Sequence, residues 1–181
     1  LYVCVAAARP GTKVLKHEKN SGKGTAIRTA LAAATGEVVL IQDADLEYDP
    51  ADYAALLKPF EEGRADVVYG SRILRSDNGR SYARYYWGGR VLSWWTNLLY
   101  GSAVTDEPTC YKVFKTSLLR SLDLRCTGFE FCPEATAKIL RRGIVIHEVP
   151  ISYHPRRIEE GKKIRWHDGV IALWTLLKLR F

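Results

Sequence analysis

The 181 residues suffice for one domain of ordinary size, and 47% hydrophobic with 26% charged side chains excludes a disordered or fibrous chain. A chain of this length hides about 70% of its unfolded surface, so it needs neither disulfide nor zinc to fold. The formal net charge is +7, of which residues 138–181 supply +6 through ten basic and four acidic side chains. The positive field therefore sits in the C-terminal quarter, where it suits an anionic ligand, a nucleic acid or an anionic membrane surface.

Cys4, Cys110, Cys126 and Cys132 show no C-x-x-C pairing and no zinc spacing, and they read as free thiols in a reducing compartment. The chain contains no methionine. Leu1 thus reads as a position inside a domain, and LYVCVAAA is too short for a signal peptide. No stretch reaches the ~20 apolar residues of a bilayer-spanning helix, since the nearest, 169–181, is broken by Lys178 and Arg180.

In chain order, the sequence predicts a short strand over 14–17, a polar loop Asn20-Ser21-Gly22-Lys23-Gly24, and an Ala-rich helix over 25–34 that Gly36 ends. The β-branched run 37–42 has the composition of a strand buried on both faces, and it stops at Asp43-Ala44-Asp45. Asp49-Pro50 supplies an N-cap and a proline at the first helical position. Tyr53, Leu56, Leu57 and Phe60 then recur at helical spacing up to Gly63. A strand over 65–69 closes on Gly70-Ser71-Arg72, and a long helix follows over 81–99 with Gly88-Gly89 as its candidate break. A helix over 131–141, a strand over 144–149 and a closing helix over 168–179 complete the chain. Strand and helix alternate, which predicts an α/β fold with a mostly parallel sheet covered by helices. No repeat or low-complexity linker divides it, so residues 1–181 read as a single domain.

Asp43 and Asp45 stand at i and i+2 at the carboxyl end of a predicted buried strand, so their side chains leave the same face about 6.6 Å apart. Two hard oxygen ligands so placed can converge on Mg²⁺ or Mn²⁺, which prefers one or two carboxylates and leaves room for water and substrate phosphates. Ligands of open α/β sheets bind outside the carboxyl ends of strands. Taken alone, a bare D-x-D is more often a solvated loop with a capping aspartate. Gly22-Lys23-Gly24 at a helix start is an anion cradle or a plain turn. The Arg72 guanidinium suits phosphate oxygens or a surface ion pair. Asp106, in Asp106-Glu107-Pro108, is a reactive carboxylate or a cap. Arg156-Arg157 with Gly161-Lys162-Lys163-Ile164-Arg165 is an anion site or a solvated face. His17, His147, His154 and His167 show no ligand spacing and are assigned to no metal.

Asn20-Ser21-Gly22-Lys23-Gly24, VVLIQDADLEYDP, VVYGSR, Thr105-Asp106 and Glu148-Val149-Pro150 with GKKI occur in the order and spacing of polyprenyl-phosphate sugar synthases. The chain resembles glycosyltransferase family 2, near the dolichol-phosphate mannose synthase branch. The resemblance implies a GT-A type Rossmann-like sandwich and a metal held by Asp43 and Asp45 with help from Glu47. It implies that Arg72 approaches the donor phosphates and that Asp106 lies near the acceptor as a catalytic residue. It also implies a clamp, including Arg156, Arg157, Lys162 and Lys163, that joins Lys23 in binding phosphates. The implied reaction is inverting transfer of a hexose from a nucleotide-sugar of the GDP-mannose or UDP-glucose type to a polyprenyl phosphate. Its place is the cytoplasmic face of a membrane, with peripheral contact to anionic lipid. Two alternatives remain: a sugar or protein hydroxyl as acceptor, or a truncated, non-catalytic nucleotide-sugar binding module. The family's opening P-x-x-N-E strand and D-D-x-S-like motif are absent from the sequence, so about one N-terminal βαβ unit is expected to be missing. No nucleic-acid recognition motif is present, and the sequence does not set the oligomeric state.

All five tryptophans fall in two groups, Trp87, Trp94 and Trp95 in one and Trp166 and Trp174 in the other. Indoles favour a membrane interface. A helix over 168–181 would be about 21 Å long, too short to span a ~30 Å core but suited to lying in the interface or to closing the core.

Overall fold

The computed structural model describes residues 11–79, 82–156 and 166–181. Among the described residues six α-helices and four strands follow in the order α1 (Lys23–Ala33), β1 (Val38–Leu40), α2 (Tyr53–Glu61), β2 (Val67–Ser71), α3 (Ala83–Tyr100), β3 (Lys112–Lys115), α4 (Thr116–Ser121), α5 (Phe131–Arg141), β4 (His147–Pro150) and α6 (Trp166–Arg180), with a 3-10 turn, Pro50–Asp52, leading into α2. The strands form one sheet in the order β1-β3-β2-β4. β3 runs antiparallel to both β1 and β2, and β2 runs parallel to β4. Three of the four strands therefore point the same way and β3 is inserted between two of them in the opposite sense, so among the described residues the sheet is mixed, with β2–β4 its parallel pair.

The core lies on the central strands. Val67, Val68 and Tyr69 of β2 and Val113 and Phe114 of β3 are fully buried, against Leu56 of α2, Leu119 of α4 and Ile139 of α5. Lys112 is buried with them: its ammonium donates to the Glu107 carbonyl at 2.6 Å and lies 3.4 Å from the Tyr69 ring centroid. A lysine inside a sheet hides that strand from any reading of apolar runs, and β3 was not among the predicted elements.

Two expectations fail locally. Residues 14–17 form no strand, because Val14 and Leu15 are exposed and bond to no neighbouring strand. Gly88-Gly89 does not break α3, which runs unbroken for 18 residues. A Cβ at Gly89 would come within 3.3 Å of Pro108, so this glycine permits a close approach rather than a bend. The α3 helix stops at Gly101, whose φ of 65° is left-handed and whose N–H closes on the Asn97 carbonyl at 2.9 Å. Asp49 caps as expected, accepting from the Ala51 N–H at 2.9 Å.

The start of α1 also rests on glycine. Gly24 N donates to Gly128 O and Thr25 N to Thr127 O, both at 3.1 Å, and a Cβ at Gly24 would stand 2.8 Å from the Cys126 carbonyl oxygen. Backbone cannot yield as a flexible side chain does. Gly24→Ala is expected to cost about 2 kcal/mol of stability, whereas Gly36→Ala, with only an ordinary 3.6 Å contact to accommodate, should be near neutral; urea midpoints of the two variants check this.

Candidate functional site

β1 and β2 deliver the acidic run and Arg72 to the same end of the sheet, and the loop before β3 brings Asp106 to them. Arg72 and Asp106, 34 residues apart, are joined by three bonds: the Arg72 backbone N–H donates at 2.9 Å, Nε at 2.7 Å and Nη2 at 2.7 Å. Asp106 is 2% exposed. Burial pushes its carboxyl up, but the Arg72 guanidinium and its hydrogen bonds outweigh burial and hold it below the usual carboxylate range. The guanidinium also stacks 5.0 Å from the Tyr153 ring centroid.

The segment carrying Asp106 is fixed almost wholly by side chains. Asn97 on α3 accepts from Val104 N and donates to Val104 O, both at 2.9 Å. Glu148 on β4 accepts from Thr105 N at 2.8 Å and Asp106 N at 3.0 Å, and Ser71 meets the Thr105 hydroxyl at 2.6 Å. Burial pushes the Glu148 carboxyl up, and these N–H donors act against that. Asn97, Tyr153 and the orienting role of Glu148 were missed in the sequence. Only Glu148 carried a signal there, as part of Glu148-Val149-Pro150.

The acidic run divides between two cations. Lys23 Nζ holds Asp43 at 2.7 Å and lies 3.4 Å from Cys110 Sγ. Arg156 Nη2 holds Asp45 at 2.8 Å, Arg156 Nε lies 3.5 Å from Glu47 Oε1, and the Arg156 backbone N–H donates to that same oxygen at 3.1 Å. Between the two acids Leu46 adopts a left-handed φ of 61° with its side chain 88% exposed, local strain of the kind that gathers at functional sites. Gly22-Lys23-Gly24 opens α1, with the Gly22 N–H taken by Asn20 Oδ1 at 3.0 Å and the Gly24 and Thr25 N–H groups by Gly128 O and Thr127 O. Arg157, Lys162 and Lys163 lie outside the described residues.

Among the described residues no three His, Cys, Asp or Glu side chains are grouped to hold a metal ion. Asp45 and Glu47 nevertheless already share one positive charge, and Arg156 Nε is buried there without a hydrogen-bond partner. A two-carboxylate notch that accepts a cation fits Mg²⁺ or Mn²⁺, provided that water and phosphate complete the shell.

A groove of about 950 Å³ opens over these groups. One end is lined by Glu47, Arg72 and Asp106, and the other passes between α3 and α6 at Val91, Trp166 and Val170. It is charged where the strands end, and on the helix side Val91, Leu92, Val170 and Leu173 line it together with Arg84, Arg90 and His167.

The sequence profile described as Glycosyl transferase family 2 matches residues 3–123. The chain is 30% identical over 84% of its length to a low-salt glycan biosynthesis hexosyltransferase, Agl6, of Haloferax volcanii, covering 37% of that protein. It is 33% identical over 76% of its length to UDP-N-acetylglucosamine–dolichyl-phosphate N-acetylglucosaminyltransferase of Methanococcus voltae, covering 57% of it. It is 27% identical over 97% of its length to undecaprenyl-phosphate mannosyltransferase of Micrococcus luteus, covering 78% of it. The chain thus spans only 37% and 57% of the first two relatives. Glucosyl-3-phosphoglycerate synthase from Mycobacterium tuberculosis, solved with Mg²⁺ and UDP, superposes on 94% of this chain and 57% of its own with a TM-score of 0.65 at 20% identity. A second structure of that enzyme holds Mn²⁺, UDP-glucose and phosphoglyceric acid, with a TM-score of 0.63 at 19% identity. That likeness gives the fold: a GT-A type α/β architecture, as the sequence resemblance implied.

Proposed function

Because the chain belongs to glycosyl transferase family 2, we propose that it forms part of an inverting hexosyltransferase that moves a hexose from a nucleotide-sugar to a polyprenyl phosphate. The observation that carries this reading is the triple bond set between Arg72 and Asp106. A carboxylate so committed, with its proton affinity lowered, is a poor general base. A hydroxyl acceptor needs such a base. A phosphate monoester does not, since its second pKa of about 6 leaves it largely ionised at neutral pH and in need of positioning instead.

Arg72 then serves the other half of the reaction. Two of its five side-chain N–H donors go to Asp106, leaving three for phosphate oxygens as negative charge builds on the departing diphosphate. Asp106 keeps the guanidinium aimed, so its catalytic part is to position Arg72. Asp45 and Glu47 would hold a divalent cation, with Asp43 beside them on Lys23, and that cation would supply further neutralisation of the leaving group. Lys23 acts on the donor side through Asp43, and Arg156, with Arg157, Lys162 and Lys163 beyond it, supplies positive charge for phosphates.

The groove suits an amphiphilic acceptor, whose prenyl chain would run out between α3 and α6 while its phosphate faces the sugar from the side opposite the departing diphosphate that Arg72 serves. Two relatives are named for dolichyl- and undecaprenyl-phosphate, which supports the same acceptor class. Among the described residues no helix is long and apolar enough to cross a membrane. The reading is a peripheral enzyme at the cytoplasmic face, held there partly by exposed indoles. The test offers the full-length enzyme a polyprenyl phosphate and the matching polyprenol with GDP-mannose and UDP-glucose as donors. Transfer is expected to the phosphate, with the alcohol at least about a hundredfold slower. Equal turnover on the alcohol would overturn this reading in favour of a hydroxyl acceptor.

A further inference from the structure

From the geometry around Arg156 we infer that this residue is the resident occupant of the Asp45–Glu47 notch, and that a divalent cation enters only as its guanidinium leaves. The inference rests on the proposal that these carboxylates hold the metal, and adds what competes for them. The guanidinium is 2.8 Å from Asp45 and 3.5 Å from Glu47, so it stands where a shared cation would stand. It is imperfectly served there, because Nε is buried with no hydrogen-bond partner. The chain leading to it is fixed without it, whereas its own backbone N–H donates to Glu47 Oε1 at 3.1 Å. His154 N donates to Glu47 O at 2.9 Å, Tyr153 N to Asn78 Oδ1 at 2.8 Å, and Ser152 N to Asp52 Oδ2 at 2.7 Å. The side chain can therefore swing out while residues 152–154 stay in place.

A site blocked most of the time binds with its intrinsic affinity multiplied by the fraction open. Two consequences follow. Without phosphate ligands, metal binding is weaker than the carboxylates alone would give. When metal binds, a half-buried guanidinium is released beside the same groove, free for the oxygens of a diphosphate, so metal and diphosphate bind with positive coupling.

The test titrates MnCl₂ into this chain at 0.15 M salt, reading free Mn²⁺ by electron paramagnetic resonance. Arg156→Gln is expected to tighten Mn²⁺ binding about tenfold. Arg156→Lys, which keeps the charge, should leave binding within about twofold of the parent, a distinction that a purely structural role would not draw. Arg64→Gln, in the turn between α2 and β2, controls for loss of one positive charge at long range, and thermal melts confirm that each variant is folded. Unchanged or weakened Mn²⁺ binding in Arg156→Gln would overturn the inference while leaving the metal site standing. If Asp45→Asn leaves Mn²⁺ binding as it was, the notch is not the metal site, and the underlying reading falls with the inference.

Discussion

Arg72→Met is expected to lower kcat for hexosyl transfer by about 10³ in the full-length enzyme, as removing a preorganised donor at a developing charge does. It is also expected to destabilise the fold by roughly 3–5 kcal/mol at neutral pH, because it strands a buried carboxylate without its counter-ion. The pH dependence separates this from general damage. In the parent, Asp106 is held below the ordinary carboxylate range, so its contribution is present above the unfolded pKa of about 3.9 and is lost as pH falls through the folded value. Without the guanidinium, burial is opposed only by the residue-72 backbone N–H and the more distant Lys112 charge, and the folded value is expected to lie above the unfolded one. The penalty then grows as pH rises and the buried carboxyl is forced to ionise. Urea midpoints should differ more between parent and variant at pH 7 than at pH 4. Adding Asp106→Asn to Arg72→Met should recover part of the stability but none of the turnover. A variant that keeps turnover within tenfold of the parent would remove Arg72 from the reaction.

The helices were legible because their apolar residues recur locally. Tyr53, Leu56, Leu57 and Phe60 mark α2, and residues 131–141 match α5. The strand runs before Asp43 and Arg72 were equally plain, though of the two only β2 is buried throughout, Val38, Val39 and Leu40 of β1 being half-buried at the sheet edge; with them came the fact that acidic and basic groups meet at strand ends. The partners were not legible. Arg72 with Asp106 and Asp45 with Arg156 are separated by 34 and 111 residues, and no local period encodes such a pairing. β3 escaped for a related reason: Lys112 reads as solvent-facing until the Glu107 carbonyl and the Tyr69 ring are seen around it. The same lack of tertiary information makes Gly22-Lys23-Gly24 resemble an anion cradle, when the Gly24 N–H meets the Gly128 carbonyl and the Gly22 N–H the Asn20 side chain instead. The split of the aspartates between Lys23 and Arg156 is the clearest case, since spacing alone places Asp43 and Asp45 on one ion.

The tryptophans carry the second large expectation. In α6, Ala172 and Leu176 turn inward, whereas Trp166, Val170 and Trp174, spaced four residues apart, are 83%, 53% and 61% exposed. In α3, Trp87, Val91, Trp94 and Leu98 repeat the pattern at 64%, 48%, 61% and 60%. Trp95 Nε1 and the Tyr100 hydroxyl donate to the Leu173 and Leu176 carbonyls at 3.3 Å and 2.7 Å, which pins the two helices side by side. The closing helix therefore divides its residues, with one stripe completing the core and the other left to solvent beside the mouth of the groove between α3 and α6. A lipid acceptor must reach that mouth from a bilayer, so the exposed stripe is expected to rest in the membrane interface. The protein should co-sediment with vesicles containing anionic phosphatidylglycerol. Trp94→Glu combined with Trp174→Glu is expected to weaken that partitioning by about a hundredfold, at roughly 1.4 kcal/mol lost per indole. Because both side chains are exposed, thermal stability should change by no more than about 0.5 kcal/mol for each. Gel filtration of parent and variant distinguishes a second copy as the cover, since a self-association lost in the variant would assign the stripe to a dimer. Vesicle binding equal to the parent's in a folded double variant would show that the enzyme meets the membrane through another surface.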